Sequence, residues 1–167
     1  MSKSVTSTAV GFAVAEGLLS IDDKVYKFFP EYKSAKLPPN NKLTVEMLLT
    51  MRSDKLVTLL DEKGGHDWVK QFFDAPFLLP PGTKFNYISE NTFMLSAIVT
   101  RVTGKSVIDY LDEKMFAPLG IEKPFWEADG NGVNAGGWGL YMKSEDIAKF
   151  FLPYIHEGRW IDGTQLI

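Results

Sequence analysis

Prolines and glycines divide this chain into short segments, and that division constrains its fold more than any other feature of the sequence. The 167 residues include 14 glycines and 9 prolines. Most of the segments between them carry apolar residues at helical spacing, whereas the alternation typical of strands is rare. The clearest pattern predicts an amphipathic helix from Ser89 to Gly104, where the glycine ends the helix. The sequence therefore predicts a mainly α fold.

The other helices are predicted from the same spacing together with residues that favour helix ends. They lie at about 4–17, 44–53 and 64–76, in the segment that Ser106 caps, and from Ser144 to about Tyr154. A short helix is expected before Pro30, and an Asp-Gly turn at 162–163. We expect all of these elements to form a single domain over 1–167.

Charge and composition exclude several classes of function. The net charge of -3 gives no reason to propose a nucleic-acid partner or an anionic membrane surface. The chain has no cysteine, which excludes disulfides and thiolate metal sites. Its two histidines, His66 and His156, lack the spacing of a metal site. We therefore expect neither a metal nor a cofactor.

Four stretches of the chain carry motif-like letters in a fixed order. They are MSKSVTSTAVGFAVAEGLLSIDDKV, LTVEMLLTMRSD, PPGTKFNYISENTFMLSAIVTRVTGKSVIDYLDEKMFAPLGI and NAGGWGLYMKSEDIAKFFLPYIHEGRWIDGTQLI. Together they resemble the serine β-lactamase-like hydrolases, the superfamily of class C β-lactamases, D-alanyl-D-alanine carboxypeptidases and related esterases. The resemblance implies the helical domain and flanking segments of the β-lactamase/transpeptidase-like fold, with most of the sheet of its α/β domain missing.

The resemblance assigns a catalytic role to Lys3. In this family the nucleophilic serine lies three residues before a lysine, so the matching serine would stand one position before Met1. We therefore expect a hydrolase fragment that starts just after its nucleophile, ends before the Lys-Thr-Gly-type strand and is inactive as given. Two alternatives stay open, namely a surrogate nucleophile at Ser2 or Ser4, and a lysine that is only a solvated surface residue.

The chemistry of acyl transfer explains why these residue types are needed. A serine hydroxyl is a weak nucleophile at neutral pH and needs a base beside it. A serine and a lysine one helical turn apart lie on the same face of the helix. A lysine loses its proton near neutral pH when it is partly desolvated or lies near another cation. It can then accept the proton of the serine while the acyl-enzyme forms.

The resemblance also assigns roles to two residues of a Tyr-x-Asn-like motif. Tyr87, 84 positions after Lys3, matches the tyrosine that shuttles protons in the family, and we expect the two side chains to lie close together. Ser89 stands where many relatives have the substrate-binding asparagine. A serine offers one short donor in place of an amide, which weakens the prediction of β-lactam hydrolysis in particular. Ser89 could instead be only a helix cap, and Asn91 could partly substitute but faces elsewhere on an ideal helix.

Three functional hypotheses follow. The first is the hydrolase fragment, whose intact parent acts on a small molecule, that is, a β-lactam, an ester or a D-Ala peptide. The second is an active hydrolase with a surrogate nucleophile. The third is a non-enzymatic interaction module that associates through the surface of the first helix, which is apolar in several directions. "HEG" at 156–158 matches the letters of the family's third motif, but it follows a predicted helix, so a surface or capping role is favoured for His156.

Overall fold

The computed structural model describes residues 1–56 and 67–167. Six α-helices are the main secondary structure of this part of the chain. They are α1 (Ser2–Ala15), α2 (Val45–Leu49), α3 (Trp68–Asp74), α4 (Ser89–Thr103), α5 (Val107–Leu111) and α6 (Ser144–Ile155). Short 3-10 turns cover Val25–Phe28, Lys33–Lys36 and Asn40–Lys42, and a π turn over Asp112–Phe116 continues α5. The predicted mainly α fold is confirmed.

The sheet of the described residues is small. Strands β1 (Phe125–Trp126) and β2 (Leu140–Tyr141) pair in antiparallel fashion. The segment between them contains the glycines of the Gly-rich stretch, and a bridge between Ala128 and Asn134 narrows it. This hairpin carries the loop that reaches the candidate site.

Helix α4 is the centre of the fold. Ten consecutive residues, Glu90–Val99, are buried, because α1, α2, α3 and α5 all pack against it. The helix predicted from Ser89 to Gly104 is therefore confirmed, but the one-sided burial expected of an amphipathic helix is not observed. Gly104 adopts a φ of 70°, the left-handed conformation that ends a helix and that glycine adopts without strain.

Helix α1 packs on α4 through one face. Val5, Ala9, Val10 and Ala13 are buried there, whereas the opposite face is open to solvent. Glu16, just after the helix, accepts hydrogen bonds from Tyr110 and Lys114, and these bonds lower the pKa of its carboxyl group. One end of α1 is thus fixed to the α5 region, while the other end enters the candidate site.

The remaining predicted elements agree with the structure in part. Thr44 and Ser106 cap their helices as expected, since each hydroxyl accepts a backbone N–H of the first turn. The segment before Pro30 forms a 3-10 turn, and a turn includes Gly163, whose N–H bonds to the carbonyl of Trp160. The helix predicted at 64–76 is observed only as α3, and residues 57–66, His66 included, lie outside the described residues.

No helix of residues 1–56 or 67–167 combines the length and the apolar character that crossing a membrane requires.

Candidate functional site

Lys3 lies at the point where three distant parts of the chain meet. Its ammonium nitrogen donates a hydrogen bond to the hydroxyl of Ser89 at 3.0 Å and another to the carbonyl oxygen of Gly137 at 2.9 Å. The same nitrogen lies 4.9 Å from the centre of the Tyr87 ring. The structure thus brings together all three residues that the sequence analysis selected.

The first turn of α1 aims Lys3 at the loop that carries Gly137. Thr6, three residues after Lys3 and on the same helix face, donates a buried hydrogen bond of 2.9 Å to the carbonyl of Gly136. Two side chains one turn apart therefore bind two consecutive backbone carbonyls. The sequence predicts neither partner, because a backbone carbonyl has no letter of its own. The adjacent glycines 136 and 137 were the available signal, since glycine allows a close approach of the backbone.

Both glycines are needed because the loop approaches α4 closely. A Cβ atom at Gly136 would lie 2.6 Å from the carbonyl oxygen of Thr92, a distance that side chains do not tolerate. A Cβ atom at Gly137 would lie 2.9 Å from the Cβ of Ser89 and 3.2 Å from the ammonium of Lys3. The absence of side chains at these positions lets two carbonyls reach the end of α1.

Ser89 is the first residue of α4 and does not cap it. Ile88 occupies the N-cap position, and the Ser89 hydroxyl accepts the hydrogen bond from Lys3. Asn91 is fully buried, and its amide nitrogen lies 3.7 Å from the sulfur of Met51. Asn91 therefore faces away from Lys3, as an ideal helix predicts for a residue two positions after Ser89.

Tyr87 is exposed beside Lys3, with 65% of its surface accessible. Its ring lies 6.5 Å from that of Phe85, which is also exposed. The segment that carries both rings is hydrogen-bonded to residues 51–55 through Asn86. The backbone N–H of Asn86 donates to the carbonyl of Met51, and its side-chain amide donates to the carbonyl of Lys55.

Lys55 is a fully buried lysine that lies outside the site, behind the Tyr87 segment. Its ammonium donates to the carbonyls of Phe73 at 3.3 Å and Ala75 at 2.7 Å, and it lies over the rings of Phe72 and Phe77. Desolvation lowers the pKa of Lys55 to about 7. Because the folded state holds this proton less tightly than the unfolded chain does, the contribution of Lys55 to stability rises with pH from about 7 towards the ordinary lysine pKa.

His156 does not belong to the contacts around Lys3. It follows the last residue of α6, is exposed, and its backbone N–H bonds to the carbonyls of Leu152 and Pro153. This position agrees with the surface or capping role that the sequence favoured. Among the described residues, no group of three or more His, Asp or Glu side chains could hold a metal ion.

Comparisons with known proteins converge on one family. A family model described as beta-lactamase matches residues 1–165. Penicillin-binding protein 4 from Amycolatopsis lactamdurans is 30% identical over 201 aligned residues, which cover 100% of this chain and 52% of that protein. Lovastatin esterase from Penicillium rubens is 27% identical over 145 residues, which cover 71% of this chain and 36% of that protein. The chain thus spans about half, or less, of the length of these relatives.

Solved structures show the same fold. A candidate 6-aminohexanoate-dimer hydrolase from Bacillus anthracis superposes with a TM-score of 0.81 at 19% identity, over 99% of this chain and 48% of its own. The octameric penicillin-binding protein homologue from Pyrococcus abyssi gives a TM-score of 0.73 at 24% identity, over 93% and 44%. At such identities the likeness concerns the fold alone.

The variant Gly137→Ala tests how closely the hairpin loop approaches Ser89 and Lys3. The φ of Gly137 lies outside the left-handed region, so Gly137→Ala strains the molecule only through the contacts of the new methyl group with Ser89 and Lys3. We expect the free energy of unfolding, measured by urea denaturation, to fall by about 1–3 kcal/mol, the usual cost of overpacking.

Gly11→Ala is the matched control, because a Cβ atom at this position of α1 meets nothing within 4 Å. Alanine is the better helix former, so this variant should gain about 0.5–1 kcal/mol. Equal stability changes in the two variants would contradict the packing described for Gly137.

Proposed function

Because the chain belongs to the β-lactamase family, we propose that Lys3 and Tyr87 are the proton-transfer groups, and Ser89 a substrate-binding group, of a serine-hydrolase site that works through an acyl-enzyme. The observation that carries the proposal is the contact of the Lys3 ammonium with Ser89, 86 positions away, and with the ring of Tyr87. The family is one of β-lactamase-related serine hydrolases. The substrate class proposed for the whole protein is a β-lactam, an ester or a D-Ala peptide.

The hydrogen bonds of Lys3 suit a general base. A neutral amine has two N–H bonds and one lone pair, and the oxygens of Ser89 and Gly137 accept two such bonds. The lone pair is then left for the proton of a third group, which in acyl transfer is the attacking hydroxyl. Once protonated, the ammonium keeps both acceptors, so neither protonation state leaves them unpaired.

Tyr87 and Ser89 have complementary roles in this proposal. Tyr87, beside Lys3, carries a phenol that can donate its proton to the leaving group and take a proton back from the protonated Lys3. Ser89 orients the amine of Lys3 and offers one hydroxyl to the substrate. A single hydroxyl binds a substrate carbonyl less fully than an amide does, which favours an ester or a peptide over a β-lactam. The name of the lovastatin esterase relative supports the ester.

The geometry of α1 also bears on the two serines beside Lys3. In the family the nucleophile lies three residues before the lysine, and neither Ser2 nor Ser4 has that spacing from Lys3. Ser2 and Ser4 are direct sequence neighbours of Lys3 and therefore project from the helix about 100° to either side of it. We accordingly propose that neither serine replaces the nucleophile.

The 167-residue polypeptide should therefore not turn over a chromogenic β-lactam or a nitrophenyl ester above background. The loss of an attacking group alone costs several orders of magnitude in rate. A fluorophosphonate or penicillin probe, followed by intact-mass spectrometry, should give no adduct on the chain.

Two outcomes would contradict this. An adduct at Ser2 or Ser4 would establish a surrogate nucleophile. Steady turnover that is abolished by Lys3→Ala or Tyr87→Phe would show that the polypeptide is itself a complete enzyme.

A second role is favoured by one surface. An apolar groove of about 490 Å³ runs along the open face of α1 between Gly11, Phe12, Tyr154 and Leu166. We propose that a second copy of this chain binds there, so that the polypeptide associates with itself. The Pyrococcus abyssi homologue is octameric, which supports the proposal of self-association. Val5 and Val10 take no part, because the chain itself buries both.

The variant Gly11→Arg tests this role without a change in the core. It places a charged side chain in the groove at a helical position that has open space around it. We expect the native chain to sediment as a dimer or larger species at micromolar concentration, and Gly11→Arg to sediment as a monomer. Gly11→Ala is the control and should associate like the native chain. A native chain that is strictly monomeric would contradict the proposal.

A further inference from the structure

The exposed ring of Tyr87 needs a rigid backbone to stay beside Lys3. Its described ring contacts are the ammonium of Lys3 and the ring of Phe85, and about two thirds of its surface is open to solvent. The segment 83–88 that carries it belongs to no helix or strand. Side-chain packing therefore does little to fix the position of the Tyr87 ring, which depends instead on how the backbone of segment 83–88 is held.

The segment is held by a neighbouring stretch, residues 51–55. The N–H of Gly82 donates to the carbonyl of Arg52, and the N–H of Asn86 donates to that of Met51, both at 2.8 Å. Lys55 fixes this stretch to the end of α3 through its buried ammonium. Residues 51–55 are thus fixed to the end of α3 on one side, and on the other side they accept hydrogen bonds from the segment that carries Tyr87.

Within this stretch, the Asp54 carboxylate is the strongest acceptor for the Tyr87 segment. One oxygen accepts the N–H of Thr83 at 2.9 Å and the N–H of Lys84 at 3.1 Å. Asp54 is 2% exposed, so little water competes for these bonds. Hydrogen bonds to a charged acceptor are about twice as strong as those between neutral groups.

Asp54 also occupies a backbone conformation that suits another residue better. Its φ of 58° lies in the left-handed region, which glycine adopts freely and other residues adopt at a cost. An aspartate at this position therefore carries backbone strain that a glycine would avoid. Its carboxylate offsets that strain through the two bonds to Thr83 and Lys84.

We propose that Asp54 is a positioning residue, which holds Tyr87 against Lys3 by binding the backbone N–H groups of Thr83 and Lys84. The proposal rests on the function proposed above for Tyr87. Tyr87 follows Lys84 by three residues, so a shift of the bound pair passes along the backbone to the ring. Asp54 acts through the backbone and touches neither Lys3 nor the reacting groups.

NMR spectroscopy of the 167-residue chain tests this inference without any need for activity. In the native chain we expect NOE cross-peaks between the Tyr87 ring and the ε-methylene protons of Lys3, and an upfield ring-current shift of those protons. The amides of Thr83 and Lys84 should exchange slowly with solvent. Asp54→Gly keeps the backbone conformation free of strain and removes the carboxylate, so the chain should stay folded and lose the cross-peaks and the shift.

Asp54→Asn is the matched control. Its amide oxygen can still accept the two N–H groups, and asparagine tolerates the left-handed region, so the cross-peaks should return. A purely structural role would not separate these two variants in this way while the α4 core signals stay unchanged.

The outcomes distinguish the two proposals. Native cross-peaks that persist at full intensity in Asp54→Gly would overturn the role of Asp54 and leave the proposed function intact. Fast amide exchange at Thr83 and Lys84 in the native chain would overturn it as well, without any variant. A native chain that lacks the Lys3–Tyr87 cross-peaks would overturn the site geometry itself, and with it the proposed function.

Discussion

The ammonium of Lys3 joins the start of α1, the start of α4 and the loop of the hairpin. It does so with two hydrogen bonds, to Ser89 and to the carbonyl of Gly137, which bring together residues 86 and 134 positions apart. A hydrogen bond to a charged donor contributes about 1.5–3 kcal/mol, more than a neutral one. Thr6 extends the same contact by one helical turn, with its bond to Gly136. The site exists because these three elements converge on one cation.

The rest of the fold supports that convergence. Helix α4 is buried over ten consecutive residues, and this burial fixes the position of its first residue, Ser89. Behind Tyr87, the stretch 51–55 is held to α3 by the ammonium of Lys55, whose desolvation lowers its pKa. The molecule therefore uses two partly or fully buried lysines in different ways. Lys3 faces the groups of the proposed reaction, and Lys55 stabilises the backbone on which one of those groups depends.

The sequence predicted the mainly α fold and the helix from Ser89 because apolar spacing and a terminal glycine are local signals. Its resemblance to a known family brought Lys3, Tyr87 and Ser89 together, and the structure places them in contact. The carbonyl of Gly137 could not be predicted, because its role depends on how two segments pack. The left-handed φ of Asp54 could not be predicted either, because glycine, and not aspartate, is the residue that indicates this conformation in a sequence.

A double-mutant cycle between Lys3 and Ser89 tests the central claim most directly. Urea denaturation would give the free energies of unfolding of the native chain, Lys3→Met, Ser89→Ala and the double variant. Because the two side chains share a hydrogen bond at 3.0 Å, the effects should not add, and the coupling should be about 1 kcal/mol or more. Effects that add within about 0.5 kcal/mol would contradict the claim that this cation holds the site together.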